Sequence, residues 1–172
     1  MSYIDSFKGR FYFLSNFYPC RIEHQGINYP SVEHYYVALK ANTLQFLDGK
    51  YYTAPDFREL IAKVPLPQDV KKIGQRVKLR GDWNEKKYNF MLQGIRQKFS
   101  DEKLAELLID TGELEIIESN WWHDNYWGRC SCPKCKDMGQ NNLGKIIMQV
   151  RLELKQKQRP SLDEQIKGDS SK

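Results

Sequence analysis

Glu33, Tyr36 and Lys40 stand at i, i+3 and i+7 in the run Ser31-Val32-Glu33-His34-Tyr35-Tyr36-Val37-Ala38-Leu39-Lys40-Ala41. On a helix the three side chains share one face over two turns. A carboxylate, a phenol and an amine in line suit acid/base or Schiff-base chemistry. A lysine becomes a nucleophile when burial or a cationic neighbour lowers its pKa, and it then attacks an aldehyde-like carbon. A plainer reading is also open, because a first-turn Glu and a last-turn Lys both suit the helix dipole. Spacing alone favours the plainer reading.

A second group is aromatic. Trp83 follows Arg80-Gly81-Asp82, and Trp121, Trp122, Tyr126 and Trp127 crowd one polar loop. Tryptophans in such a loop suit a wall on which a flat base stacks, a contact worth about 1–3 kcal/mol per base. One or two of them, Trp121 or Trp122 first, are equally suited to plugging the end of a core. Gly139-Gln140-Asn141-Asn142-Leu143-Gly144 opens the last helix. Free N–H groups there favour an anion, although Asn is also an ordinary N-cap.

Cys130-Ser131-Cys132-Pro133-Lys134-Cys135 presents three thiolates at short spacing, and Cys20 is the fourth cysteine. A structural zinc normally takes four ligands. His123, Cys20 or His24 is available as the fourth, and a reduced cysteine-rich loop without metal is the alternative. No H-x-E or H-E-x-x-H companion points to a catalytic zinc. A G-x-S-x-G elbow and a G-x-x-x-x-G-K-[ST] loop are also missing, which removes the commonest hydrolase and NTPase readings.

The elements that must position these groups follow from local signals. Residues 11–14 and 20–29 read as short strands around a Gly-containing turn. Ser31 is a good N-cap for a helix over residues 32–41. Further helices are expected over 56–63, 68–79, 82–99 and 101–109, with Asp82 and Glu85 resembling a capping box and Ser100 able to cap the next helix. Gly112 supplies a stop, residues 113–118 alternate as a strand, and 120–139 is a loop. In the last helix Leu143, Ile146, Ile147, Val150 and Leu154 form an apolar stripe.

These elements add to one compact α+β domain over residues 1–155, mostly helical with a small antiparallel sheet, and a flexible polar tail over 156–172. The chain of 172 residues is of single-domain length. A mean hydropathy of −0.70 and the absence of a long apolar run exclude a membrane-spanning helix. The first residues lack a secretory pattern, so a cytoplasmic location is expected, with reduced cysteines. A net charge of +5 permits a phosphate-bearing or nucleic-acid substrate without demanding one.

The chain resembles the NADAR (YbiA-like) family. The matching blocks are Phe13-Leu14-Ser15-Asn16-Phe17-Tyr18-Pro19 and Tyr29-Pro30-Ser31-Val32-Glu33-His34-Tyr35 with Ala38 and Lys40. Arg80-Gly81-Asp82-Trp83 follows with Met91 and Lys98-Phe99, then Asp124-Asn125-Tyr126-Trp127-Gly128. The last is Gly139-x-Asn141-x-Leu143-Gly144, with Met148 and Arg151. The blocks keep their order across residues 11–152.

The resemblance implies a compact, mostly helical domain that hydrolyses N-glycosidic bonds. Family activities include removing ADP-ribose from modified guanine in nucleic acid, and some relatives cleave ribosylamino-pyrimidine phosphates of riboflavin synthesis. Carried over by position, Lys40 would capture the ribose anomeric carbon, Glu33 would be the acid/base group and Asp124 a second carboxylate. Trp83 and Trp127 would line the base pocket, Asn16 and Asn141 would position the ligand, and Tyr36, Gly128 and Arg151 would complete the substrate-binding set. That scheme requires no cofactor, and neither a membrane nor an obligate protein partner is implied. Many relatives carry an acidic residue directly after Trp-Gly, where this chain has Arg129 and the cysteine run. A rival of another class is a zinc-stiffened module that binds ADP-ribose or nucleic acid without catalysis, although such a reader has no use for an acid–amine pair.

Overall fold

The computed structural model describes residues 3–158. Its first strand, β1 (Tyr3–Ile4), is followed by a 3-10 helix, Gly9–Leu14, where the aromatic run suggested a strand. Phe13 and Leu14 are both buried. Adjacent residues of a strand point to opposite faces, so a tight helical turn is the local way to bury both on one side.

β2 (Ile22–His24) and β3 (Ile27–Tyr29) form the expected antiparallel hairpin, with Ile22 opposite Tyr29. Gln25 and Gly26 close it with φ of 52° and 78°, the pair of positive values that a two-residue type I′ turn requires. Ser31 then caps α1 (Val32–Ala38), its hydroxyl accepting the His34 N–H at 3.3 Å. Six of the seven residues of α1 are buried, so this short helix runs through the middle of the protein. It stops before Ala41 because the chain tightens: Lys40 N–H turns back to the Val37 carbonyl, and Lys40's own carbonyl accepts Arg80 N–H at 2.8 Å.

A second antiparallel hairpin, β4 (Gln45–Leu47) with β5 (Lys50–Tyr52), turns at Asp48 and Gly49. Both residues have positive φ, 47° and 81°, the requirement that makes an Asp-Gly pair a hairpin signal. Thr53 caps α2 (Ala54–Lys63), two residues earlier than expected, by accepting Asp56 N–H. Next comes α3 (Pro67–Gly74), which ends well before Leu79. The Gly74 carbonyl accepts from Lys40 Nζ in place of a helical donor. Lys78, which an extended helix would bond to it, instead exchanges two hydrogen bonds with the Gln45 side chain.

α4 (Trp83–Lys98) lacks the capping box, because the Asp82 carboxylate is held by Arg80 and Lys86. α5 (Glu102–Ile109) is capped by Asp101, whose Oδ1 accepts Leu104 N–H at 3.1 Å, while Ser100 bonds the Gln97 carbonyl. β6 (Glu115–Ile116) pairs in parallel with β1. β7 (Ser119–Asn120) pairs in parallel with β8 (Arg129–Cys130). The last helix, α6 (Asn142–Gln158), buries the expected stripe at Leu143, Ile146, Ile147 and Val150.

The architecture is thus α+β and mostly helical, and among the described residues its strands form four two-stranded pairs, two antiparallel and two parallel. One apolar cluster runs from Ile4 to Val150 and unites these helices. The polar tail expected from residue 156 begins inside α6, and from residue 159 it lies outside the described residues. Among the described residues no helix is long and apolar enough to cross a membrane.

Candidate active site

A cavity of about 790 Å³ opens where α1, α3, α4 and the loop after β7 converge. α1 contributes Glu33 and Tyr36, and Lys40 follows one residue beyond its C-cap. Lys71 reaches in from α3, Trp83 and Met91 from α4, and Glu118 precedes β7. The loop adds Trp122, Asp124, Tyr126 and Trp127, and Asn16 closes the wall from the turn after the 3-10 helix.

The i, i+3, i+7 face therefore looks into a pocket. Burial pushes the Glu33 carboxyl up to about 7, with Lys40 and Lys71 pulling the other way. Burial also lowers the Lys40 amine, and Lys71 adds to this while Glu33 opposes it. Both displacements favour the uncharged forms, as expected when charge leaves water. Lys40 Nζ donates to the Gly74 carbonyl at 3.0 Å, which fixes the side chain while leaving a neutral amine its lone pair. The Tyr36 phenol is raised by burial, against a hydrogen bond from Trp127. Its ring lies 5.0 Å from Trp83 and 5.5 Å from Trp127, so the three aromatics form one continuous wall.

Asp124 is held in place by its own turn. Its Oδ1 accepts the N–H groups of Tyr126 at 3.2 Å and Trp127 at 2.8 Å, and its carbonyl accepts Asn120 Nδ2. The second carboxylate oxygen forms no bond in that turn. Asn16 secures α1 from outside, its carbonyl accepting Glu33 N–H at 3.0 Å. The Asn16 side-chain Oδ1 is buried with no hydrogen-bond partner among the described residues, an acceptor suited to a ligand hydroxyl.

Three expected ligand contacts are absent from the cavity. Arg151 is buried against Thr111 Oγ1 at 2.8 Å and the Leu114 carbonyl at 2.9 Å, where it ties α6 to the turn before β6. Asn141 is also buried, and its amide spans Glu118 N–H at 3.0 Å and the Ile116 carbonyl at 2.8 Å. Gly128 serves by having no side chain, since a Cβ there would fall 2.1 Å from the Glu118 carbonyl. The α6 N-terminus likewise offers little to an anion. The N–H groups of residues 141, 142 and 143 already donate to the carbonyls of Gly128, Tyr126 and Trp127.

Sequence reasoning missed Glu118 and Lys71. Glu118 is a second partly buried carboxyl, raised to about 7 by desolvation with help from Asp124 and Glu33 and against Lys71. Lys71 Nζ sits 4.7 Å from the Trp122 ring centre, and Lys87 Nζ 3.8 Å from that of Tyr126. No spacing singled them out, since Glu118 ends a run whose alternation reads as an ordinary strand and Lys71 belongs to a Lys pair on an amphipathic helix. The cysteine run finds its companion in His123, and the four ligand atoms all lie within 4.8 Å of one another. The other two candidates are engaged elsewhere, His24 against Tyr35 and Cys20 near Lys98.

This fold and cavity define a small α+β domain that sets a partly buried carboxyl and a partly buried amine against an aromatic wall. The NADAR domain model matches residues 3–155, and the chain belongs to that family. It is 34% identical over 143 residues to N-glycosidase YbiA of Escherichia coli, covering 81% of this chain and 79% of that protein. It is also 34% identical over 145 residues to a riboflavin biosynthesis protein of Vibrio vulnificus, covering 84% of this chain but 36% of the relative. The NMR structure of E. coli YbiA superposes with a TM-score of 0.67 at 29% identity, over 92% of this chain and 88% of that one.

Proposed function

We propose that this chain is an N-glycosidase that removes ADP-ribose from ADP-ribosylated guanine in nucleic acid, through a Schiff base on Lys40. The observation that carries the reading is that Glu33 and Lys40 line one cavity and are both displaced toward their neutral forms. Relatives named as N-glycosidases support the reaction class. The volume lies within the roughly 300–1,000 Å³ of small-molecule sites, and lysines 8, 71 and 87 on the lining suit a pyrophosphate.

The Glu33 carboxylic acid gives its proton to the departing base nitrogen as the glycosidic carbon–nitrogen bond breaks. The Lys40 lone pair forms the new bond to the anomeric carbon, and the amine proton passes to the carboxylate just formed. Opening of the ribose ring converts this adduct to the imine. Water then adds to the imine carbon, releasing the sugar as its aldehyde and restoring the amine. Net consumption is one water per bond cleaved. Asp124 orients that water, and Trp83 and Trp127 stack on the base; that all three line the cavity supports these roles.

No metal takes part in these steps. We assign the His123 and cysteine group a structural zinc role, and its thiols suit a reducing cytoplasmic setting.

A second reading is favoured by relatives named for riboflavin biosynthesis in Vibrio vulnificus and Zea mays: cleavage of a ribosylamino-pyrimidine phosphate. Guanine-ADP-ribosylated oligonucleotide, incubated with wild type and Lys40→Ala and followed by mass spectrometry, tests both. ADP-ribose release that vanishes in the variant is expected. Release that survives removes Lys40 from the scheme. No release directs the assay to ribosylamino-pyrimidine phosphates, and failure there leaves a binding module.

A further inference from the structure

We infer that His123, Cys130, Cys132 and Cys135 form a structural zinc site that locks the loop bearing Trp122 and Asp124 into the cavity wall. The coupling to the cavity rests on the functional reading above; the metal site does not.

The geometry suits a tetrahedral ion. Zinc–sulfur and zinc–nitrogen bonds of about 2.3 and 2.0–2.1 Å put neighbouring ligand atoms roughly 3.5–3.8 Å apart. His123 Nδ1 lies 3.2 Å from Cys135 Sγ, 3.4 Å from Cys132 Sγ and 4.0 Å from Cys130 Sγ, which brackets that separation. Four protein ligands close the coordination sphere, as in structural sites and unlike catalytic ones.

Supporting contacts resemble those of built thiolate sites, where outer donors orient the ligands. Cys135 N–H points to Cys132 Sγ at 3.4 Å, and Asn125 Nδ2 to Cys135 Sγ at 3.6 Å. The segment turns sharply to bring its sulfurs together, with Lys136 and Asp137 at φ of 49° and 64°. His123 itself sits at φ 65°, uncommon for a residue with a side chain and needed here to aim its ring at the thiols.

The packing explains why a metal is required. The three cysteines are a buried cluster of their own, separate from the main core. Trp127 packs that loop against the main core, but Trp121 and Trp122 at its other end are 64% and 59% exposed, so apolar burial does little to hold the His123 end down. Three thiols are too small a core to order such a segment, whereas a bound ion supplies folding free energy directly.

The link to the cavity is covalent and short. His123 precedes Asp124 in the chain, and Cys130 lies in β8, paired with Asn120 of β7. Asn120 in turn accepts Asp124 N–H at 3.1 Å and donates to its carbonyl at 2.8 Å. Metal, strand pair and Asp124 therefore form one unit.

The full chain, purified under reducing conditions, is expected to carry about one zinc by elemental analysis. Cobalt in its place should give the intense visible absorption of a tetrahedral thiolate site. Cys132→Ser and Cys135→Ser should each lose the metal, while Cys20→Ser and the ligand-conserving His123→Cys keep it, with far-ultraviolet circular dichroism reporting the fold. A reduced chain that carries no zinc and takes up no cobalt would overturn the site, as would retention by both serine variants. Chelation should change tryptophan fluorescence and lower turnover with helicity unchanged. Chelation that alters neither would overturn the coupling. A zinc-loaded chain inactive on every glycoside would instead count against the glycosidase reading.

Discussion

Asn141 grips the backbone on both sides of Ile117, its Oδ1 accepting Glu118 N–H at 3.0 Å and its Nδ2 donating to the Ile116 carbonyl at 2.8 Å. A residue that looks like a ligand contact in the sequence is in the fold the clamp that sets where the Glu118 carboxyl enters the cavity.

Replacing Asn141 by Ala should therefore leave two backbone groups without partners, at a cost of about 1–3 kcal/mol each. Thermal unfolding should show the loss. In active protein the turnover number should fall more than the Michaelis constant changes, because Glu118 and the reacting groups shift while the aromatic wall stays. Unaltered stability would remove the clamp role.

The activity profile should be bell-shaped. Glu33 acts in its protonated form, so turnover falls as pH rises through about 7. Lys40 acts as the free amine, so turnover also falls as pH drops through its depressed pKa. Glu33→Gln should lower kcat/KM by about 10²- to 10⁴-fold, the usual worth of a general acid, and should erase the alkaline limb. An alkaline limb that persists in Glu33→Gln assigns it to another group, Glu118 being the nearest in character.

Stability should depend on pH in opposite senses at Glu118 and Lys98. The Glu118 pKa is raised from 4.5 to about 7. The native state thus holds its proton where the unfolded chain has lost it, and the contribution is full below pH 4.5 and is lost as pH rises to about 7. Lys98, whose Nζ donates to the Ser15 carbonyl, is lowered by burial from 10.5 to about 7. Here the unfolded state binds the extra proton, so stability rises with pH between about 7 and 10.5. Relative to Glu118→Gln the wild type should lose stability across the first window, and relative to Lys98→Met it should gain across the second. Denaturant titrations at several pH values check both; parallel curves would contradict them.

Arg151→Met should separate structure from substrate binding. Its guanidinium is bonded to Thr111 and Leu114, so the variant should lose about 1–3 kcal/mol of stability through the partners it leaves unsatisfied, seen as a lowered melting temperature. The Michaelis constant should stay within about twofold, since a change of under half a kcal/mol is expected for a residue outside the site. A large rise in the constant with unchanged stability would return Arg151 to the ligand.

Where a feature depends on backbone angles and hydrogen bonds within a few residues, the chain alone determined it. The Ser31 cap, the turn at Gln25 and Gly26 and the shared face of Glu33, Tyr36 and Lys40 were readable for that reason. The Asp48-Gly49 turn is equally local. The ordered blocks also carried the family. Tertiary structure alone decided the rest. It made α3 stop at Gly74 to receive Lys40 where the sequence pattern continues to Leu79, brought Glu118 and Lys71 to the cavity, chose His123 over Cys20 and His24, and turned Asn141 and Arg151 inward. A polar side chain bonds whichever group the fold sets beside it, a ligand or a distant carbonyl, and the sequence around it is the same in either case.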